Sequence, residues 1–212
     1  MKKKPVIEKN ASTEEKIKEA ARRVFTQKGY SATRTRDIAE ESGYNLALIN
    51  YYFRSKEKLF DIIMLENLQL FIHSIMGIVN DRSTSLQEKI EIIVSHYIDM
   101  LIKNPNIPIF ILNEINADPG KLIAKLGVDK MQHENVYIVT QWMELAAAKK
   151  ISNVNPIHML MNVVALIIFP FVGSPIIRNR TGINIEEFNK LMVERKKLIP
   201  FWVNAIMKTP NP

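Results

Sequence analysis

Residues 29–60, GYSATRTRDIAEESGYNLALINYYFRSKEKLF, decide the fold of the N-terminal part of this chain. Thr33 is a residue type that caps helices, and the apolar pair Ile38 and Ala39 lies in the segment after it. Gly43 is typical of a residue that ends a helix, because glycine adopts the left-handed backbone conformation without strain. The sequence therefore predicts a short helix that Thr33 opens and Gly43 closes.

A second short helix is predicted directly after this glycine. Asn45 caps it, and Ile49 and Phe53, four residues apart, form its buried face. Two helices joined by so short a connection make a helix-turn-helix corner. The outward face then carries small, apolar, amide and phenolic side chains, a combination that fits a DNA groove: Leu46, Ala47, Asn50 and Tyr51.

The pattern from Ile38 to Leu59, I-A-x-x-x-G-Y-N-x-x-x-I-N-Y-Y-F-x-x-K-x-x-L, resembles the N-terminal signature of the TetR family of bacterial transcriptional regulators. The pattern fixes the turn glycine, the cap, the aromatic pair before Phe53 and the lysine three residues after it. Beyond residue 60 the resemblance is only architectural. It implies a ligand-responsive transcriptional regulator, most often a repressor, that binds a palindromic operator as a dimer and is released by a small-molecule effector.

The distribution of charge agrees with a DNA-binding N-terminal region. The chain has a net charge of +7, and residues 1–60 hold 14 Lys and Arg against 8 Asp and Glu. On charge alone, a solvated basic face or a membrane-facing patch is an equal alternative. The helix-turn-helix pattern favours double-stranded DNA as the partner.

Individual DNA contacts follow partly from chemistry and partly from the resemblance. Lys56 begins the next helix. A cation and the free backbone amides of a helix start can together hold a phosphate, so Lys56 is predicted to contact one, with a solvated lysine as the alternative. The resemblance implies that Tyr51 and Tyr52 grip the backbone, with half-buried packing as the alternative for Tyr52, and that Arg36 reaches the major groove. The predicted DNA-binding residues are Thr33, Arg34, Arg36, Asn45, Leu46, Ala47, Asn50, Tyr51, Tyr52 and Lys56.

The whole chain is predicted to be all-α, because helix-start signals recur with no strand pattern between them. Capping boxes begin helices at Ser12, Ser85 and Asn184, and Asp118-Pro119 and Asn155-Pro156 begin two more. We expect an N-terminal three-helix DNA-binding head with a helix-turn-helix, followed by a larger helical ligand-binding and dimerisation body. The predicted divisions are a flexible basic arm at 1–11, the DNA-binding domain at 12–54, the effector-binding and dimerisation domain at 55–207, and a tail at 208–212.

One head reads too few base pairs to select a genomic site, so a homodimer on a palindrome is expected. The apolar run at residues 158–173 is read as a buried helix, and with the last helix it can supply a four-helix interface from two subunits. Filling of the monomer's own core is the alternative for each residue. The predicted interface residues are Val163, Leu166, Ile167, Phe171, Phe188, Leu191, Leu198 and Trp202.

Polar side chains within apolar stretches mark a candidate effector site in the body, because a buried amide or imidazole needs a partner. The ten methionines of the chain suit an adaptable pocket for an apolar or amphipathic effector, although plain core packing is the commoner role. The candidate effector-binding residues are His96, Asn113, Glu114, Asn116, Trp142 and Asn162.

Catalysis and metal binding have little support. The chain has no cysteine, and His73, His96, His133 and His158 include no pair four residues apart, so we expect no metal, no cofactor and no enzyme. The expected location is the cytoplasm, with no membrane association. Two alternatives stay open: an architectural DNA-binding dimer without an effector, and a helical carrier or enzyme with a vestigial DNA-binding head.

Overall fold

The computed structural model describes residues 7–128 and 136–209, with side chains from residue 13 onward. These residues contain eleven helices and no strand, which confirms the all-α prediction. The chain divides into two compact units, Met1–Leu68 and Gln69–Pro212. Much of the predicted basic arm, part of the predicted tail and His133 lie outside the described residues.

The first unit begins with a helix longer than the sequence predicts. Helix α1 spans Ile7–Ala32, so it starts before the capping box predicted at Ser12, and that prediction is wrong. A kink at Gly29, with φ of 74°, ends its regular part after Lys28. Three further helices follow: α2 at Thr35–Ser42, α3 at Leu46–Phe53 and α4 at Lys56–Asn80.

The core of the first unit lies where α1 to α4 meet. The apolar positions predicted for α1 are all buried: Ala20, Ala21, Val24 and Phe25. Phe60 of α4 packs edge-on against Phe25, with ring centroids 5.1 Å apart. Leu59 and Ile63 of α4 are fully buried. The compact unit therefore extends beyond the predicted boundary at residue 54, because the first half of α4 completes its core.

The second unit contains the remaining helices. They are α5 at Leu86–Lys103, α6 at Ile107–Ala117, α7 at Pro119–Leu126, α8 at Tyr137–Ala147, α9 at Pro156–Val172, α10 at Ser174–Thr181 and α11 at Ile185–Lys208. The predicted capping boxes at Ser85 and Asn184 are present, and Asp118 and Asn155 cap α7 and α9. Each cap satisfies backbone amides that have no partner within the helix.

Helices α5 and α11 form the most extensive helix pair of the second unit. Val94 and Leu101 of α5 and Ile199 and Val203 of α11 are fully buried. At the rim of this pair, Lys196 Nζ lies 2.6 Å from Asp99 Oδ1. The second unit therefore has a core of its own, formed by residues distant in sequence.

A polar junction that the sequence does not predict joins the start of α5 to α8. Lys89 is fully buried, and its Nζ donates to the backbone oxygen and the hydroxyl of Thr84, at 2.6 and 2.8 Å. The Gln141 amide donates to the same Thr84 oxygen at 3.1 Å. The ammonium also lies 5.2 Å from the centre of the Tyr137 ring. Hydrogen bonds and ring contact together offset the cost of burying this cation.

Among the described residues, one helix, α4, has the length and apolar composition that a membrane-spanning helix needs. Helices α9 and α10 reach that length and composition only when taken together, and they are bent by 59° at their junction. Part of the apolar surface of α4 belongs to the core of the first unit. The helix also carries Glu66, whose carboxylate pairs with Lys18 and Arg22 of α1. The part of this apolar character that lies at Leu59, Phe60 and Ile63 serves packing within the first unit.

Candidate nucleic-acid interface

The corner between α2 and α3 forms as predicted around one glycine and one asparagine. Gly43 ends α2 with φ of 73°, a left-handed conformation that a Cβ would strain. Asn45 then caps α3, and its side-chain oxygen accepts a hydrogen bond of 2.8 Å from the Leu48 amide. Ile49 and Phe53 are each 2 % exposed, which confirms the predicted buried face of α3.

The opposite face of α3 is open to solvent. Ala47 and Asn50 are exposed and Tyr51 is 70 % exposed, as predicted, whereas Leu46, Leu48 and Tyr52 are half-buried. The Tyr52 ring packs edge-on against Tyr51, with centroids 5.3 Å apart. Asn45 is exposed at the start of the same helix. The face therefore presents a methyl, an amide and a phenol on a helix anchored by a buried apolar side.

Among the cations of α1 and at the start of α2, the structure distinguishes those paired with carboxylates from those open to solvent. Arg34 and Arg36 are exposed at the start of α2. Lys28 lies 3.0 Å from Asp37, and Arg23 lies 2.6 Å from Glu41. A hydrogen bond from the Arg34 backbone amide, together with Lys28, lowers the pKa of Asp37 and keeps it ionised. Arg34 and Arg36 are thus the cations on α2 best exposed to a polyanion.

Thr33 does not have the role predicted for it. Arg34, not Thr33, occupies the cap position of α2. Thr33 is 2 % exposed, and its hydroxyl donates to the Gly29 oxygen at 2.7 Å. The hydroxyl satisfies a carbonyl at the end of α1, so it is not free to bind a phosphate. Thr33 is therefore a structural residue of the kink.

Lys56 uses two of its three N–H donors within the protein. Its Nζ donates to the backbone oxygens of Tyr30 and Thr33, at 2.9 and 2.8 Å, and lies 4.3 Å from the Tyr30 ring centre. A cation in this position satisfies carbonyls at the end of a helix and opposes the negative end of its dipole. This lysine ties the start of α4 to the end of α1, which favours a structural role over the phosphate contact predicted for it.

An ion-pair cluster that the sequence does not reveal fixes α1 against α4. Lys18 and Arg22 of α1 each pair with Glu15 and with Glu66 of α4; Lys18 lies 2.7 Å from both carboxylates. The hydrogen bond from Lys18 is the main cause that lowers the pKa of Glu15, with Arg22 adding to it. The pairing joins residues far apart in sequence, so no local pattern predicts it.

Most of the predicted effector residues are exposed in the second unit. His96, Asn113, Asn116 and Asn162 are exposed, which removes the reason for choosing them, since an exposed polar group needs no buried partner. Glu114 pairs with Lys125 at 2.7 Å. Trp142 alone is buried, and its indole donates to the Val154 oxygen at 3.1 Å. Glu114 and Trp142 therefore satisfy contacts within the second unit, and the effector site stays a prediction.

The predicted interface residues separate into two groups. Ile167, Phe171 and Phe188 are buried within the subunit, and the Phe171 and Phe188 rings pack edge-on at 5.8 Å, so their assignment to the interface is wrong. Val163, Leu166 and Trp202 are half-buried. Leu191 and Leu198 are exposed, at 43 % and 40 %. Arg195 covers Trp202 and donates to the Leu166 oxygen at 2.7 Å, which ties α11 to α9.

Most of the exposed apolar residues of α9 and α11 are not among the predicted interface residues. The helix predicted as buried at residues 158–173 is only partly so, because α9 buries Met159, Ile167 and Phe171 and exposes the rest of its large apolar side chains in whole or in part. On α11, Phe201 is 69 % exposed beside Leu198. The exposed large apolar residues of the two helices are Ile157, Leu160, Met161, Phe169, Ile185, Leu191, Val193, Leu198, Phe201 and Ile206.

Comparison with known proteins agrees with this geometry. Residues 17–63 match the sequence profile of the family described as bacterial regulatory proteins, tetR family. A curated relative, the "Probable HTH-type transcriptional regulator YttP" of Bacillus subtilis, is 25 % identical over 93 % of this chain and 95 % of its own length.

Solved structures of regulators share the fold at low sequence identity. A TetR transcription regulator from Haloarcula marismortui is 15 % identical, with a TM-score of 0.62 over 94 % of this chain and 100 % of its own. The transcriptional regulator FadR from Bacillus subtilis, in complex with stearoyl-CoA, is 18 % identical, with a TM-score of 0.51 over 86 % of this chain and 96 % of its own. Residues 17–63 thus hold a DNA-binding region of the tetR family of bacterial regulatory proteins, and the all-α fold of the whole chain is the fold of these solved regulators.

Proposed function

We propose that this chain is a ligand-responsive transcriptional repressor that binds a palindromic operator as a homodimer. The observation that carries the proposal is the two-sided character of α3: Ile49 and Phe53 anchor it, while Ala47, Asn50 and Tyr51 face solvent. An α-helix with its side chains is about 10–12 Å in diameter, so α3 can lie in the major groove, which is about 12 Å wide. Asn50 is suited to adenine and the Ala47 methyl to the methyl group of thymine.

Arg34 and Arg36 extend this surface at the start of α2. Both are exposed, whereas Lys28 and Arg23 are paired with carboxylates. An arginine in the major groove pairs with guanine through two hydrogen bonds, and an arginine at its edge holds a phosphate. We assign base reading to Arg36 and phosphate binding to Arg34, and we retain Asn45, Leu46 and Tyr52 as supporting contacts of α3.

The exposed apolar surface of α9 and α11 is the proposed dimer interface. Large exposed apolar patches on a folded subunit mark surfaces that another protein covers. Phe169 and Phe201 are each 69 % exposed, and the two helices are already held together by Arg195 and Leu166. Two copies of this helix pair make a four-helix interface with twofold symmetry.

Release by an effector is the finer part of the proposal. FadR of Bacillus subtilis has a related fold and was solved with stearoyl-CoA, so amphipathic molecules with long apolar chains are the class to test first. An effector releases DNA only if it binds the DNA-incompetent state more tightly than the competent one. Stearoyl-CoA, added to the protein bound to DNA, is a suitable first probe.

The experiment that tests DNA recognition is selection of duplexes from a random pool by the purified full-length protein, followed by sequencing. We expect the enriched duplexes to share a motif with two inverted half-sites, since two identical heads bind a symmetric site. Enrichment of a single half-site would contradict the dimer, and absence of any enriched motif would contradict sequence-specific binding.

A further inference from the structure

The connection between α3 and α4 contains a strained turn centred on an arginine. Arg54 has φ of 67° and ψ of −43°, and the Ser55 amide donates to the Phe53 oxygen across it, at 2.7 Å. These values define a tight three-residue turn that is rare and strained for a residue with a Cβ. Glycine is the residue that adopts positive φ most easily.

Elsewhere the chain uses glycine where the backbone takes positive φ. Gly29 does so at the kink of α1, and Gly43, Gly127 and Gly182 do so at helix ends. In the described ranges 7–128 and 136–209, the other residues with positive φ are Arg54 and Lys149. An arginine at the corner after α3 therefore adds strain that a glycine would avoid, and observed strain of this kind often marks a functional side chain.

The Arg54 side chain is open to a ligand. Arg54 is exposed, and its guanidinium makes no hydrogen bond or ion pair with any described residue. Lys56, two residues later, has its ammonium held by two backbone carbonyls. Of these two cations at the corner, Arg54 is the one whose donors are all unpaired within the described residues, whereas Lys56 uses two of its three N–H donors on carbonyls.

The position of Arg54 relative to α3 identifies that anion. Its backbone amide still donates to the Asn50 oxygen, at 3.0 Å, so its Cα lies at the C-terminal end of the helix. Ala47, Asn50 or Tyr51, and Arg54 follow one another at spacings of three or four residues, which places them along one side of α3. About 10 Å of helix separates the first from the last, and a recognition helix contacts base edges mainly with its N-terminal residues. Arg54 therefore lies where a phosphate borders the groove that Ala47 enters.

We propose that Arg54 is a DNA-phosphate contact at the C-terminal end of the recognition helix, the role that the sequence pattern suggests for Lys56. This inference rests on the proposed DNA-binding function. A phosphate contact adds affinity without sequence preference and increases the dependence of binding on salt. Arginine suits the position because its planar guanidinium binds phosphate oxygens in pairs.

The test compares Arg54→Gly, Arg54→Lys and the control Lys149→Gly, measured by fluorescence anisotropy on a labelled duplex of random sequence over a range of salt. Arg54→Gly relieves the turn, so its melting temperature should not fall below that of the wild type. The slope of log affinity against log salt concentration should become shallower by about 0.9 for each phosphate that the protein no longer neutralises, hence by about 1.8 for a dimer. The affinity of Arg54→Gly at about 0.15 M salt should fall roughly tenfold to thirtyfold. Arg54→Lys should restore most of the affinity.

Lys149→Gly removes the same kind of strain and one cation from the second unit, so it should leave DNA affinity and salt slope unchanged. Wild-type affinity and slope in a folded Arg54→Gly variant would overturn the phosphate assignment. A weakening in Arg54→Lys confined to the selected operator would overturn it too, because that result identifies a base contact. Failure of the wild type itself to bind the duplex would instead reject the proposed function.

Discussion

The two units of this protein handle apolar side chains in different ways. Among the described residues of the first unit, the large apolar side chains exposed to solvent are Tyr51 and Ile62. The second unit exposes many, and Phe169, Ile176 and Phe201 are each about 70 % exposed. In the first unit, an apolar residue at helical spacing is therefore a core residue. In the second unit, the same pattern marks either the core or a surface suited to a partner.

This difference explains which sequence predictions succeed. Helical spacing places Ile49 and Phe53 in the core of the first unit, and both are buried. The same reasoning places Phe171 and Phe188 at a subunit interface, and they pack against each other inside the subunit instead. A helix with apolar residues around its whole circumference gives no signal that separates its inner from its outer face.

The largest expected effect tests the core of the first unit. Phe53→Ala should destabilise that unit by about 3–5 kcal/mol, since it removes a buried ring and leaves a cavity. Trp142 and Trp202 both lie in the second unit, so tryptophan fluorescence reports that unit, whereas far-ultraviolet circular dichroism reports both. We expect the early loss of helix in urea to appear by circular dichroism before fluorescence changes.

Tyr51→Ala is the matched control for that variant. Tyr51 is 70 % exposed, so its stability change should stay within about 0.5 kcal/mol while DNA affinity falls. Equal destabilisation by the two variants would contradict the separation of a buried and an exposed face on α3.

The next effect tests the surface of the second unit. Phe201→Glu places a charge on the proposed interface and should weaken dimerisation at least about a hundredfold, or about 2.8 kcal/mol, measured by analytical ultracentrifugation. Ile199→Ala, at a fully buried neighbour, should lower stability but leave a dimer at protein concentrations where it is folded. A dimer unaffected by Phe201→Glu would place the interface elsewhere.

A smaller effect is expected at the tie between α1 and α4. Lys56→Met keeps the aliphatic stem but leaves the Tyr30 and Thr33 carbonyls without their donor, which should cost about 1–3 kcal/mol. The salt slope of DNA binding should not change. Lys58→Met, at an exposed neighbour, should change stability by less than about 0.5 kcal/mol. A fall in salt slope for Lys56→Met would restore the phosphate role suggested by the sequence.

The smallest effect concerns the ion-pair cluster of the first unit. The folded pKa of Glu15 is lowered, so its contribution to stability is present above the unfolded pKa and is lost as pH falls through the folded pKa. Its carboxylate is half-exposed, so Glu15→Gln should cost only about 0.2–1 kcal/mol at pH 7. The difference between variant and wild type should shrink below about pH 4.3. A difference constant down to about pH 3 would show that charge is not responsible.

Local signals account for most of what the sequence predicts correctly. Gly43, Asn45, Ser85 and Asn184 act through hydrogen bonds or dihedral angles within a few residues, so their roles follow from neighbouring positions. The roles of Lys56, Glu66 and Lys89 depend on partners that only the fold brings near. The DNA contact predicted for Thr33 and the phosphate contact predicted for Lys56 neglect such partners: a carbonyl accepts from the Thr33 hydroxyl, and two carbonyls accept from the Lys56 ammonium.

The most direct test of DNA recognition by α3 is the ratio of affinities for a selected operator and for a shuffled duplex of equal length, measured with wild-type protein at one salt concentration. We predict at least about a thousandfold preference for the operator, as sequence-specific regulators show. Asn50→Ala should reduce that ratio more than it reduces affinity for the shuffled duplex. Equal affinities of the wild type for the two duplexes would contradict a sequence-reading role for this helix.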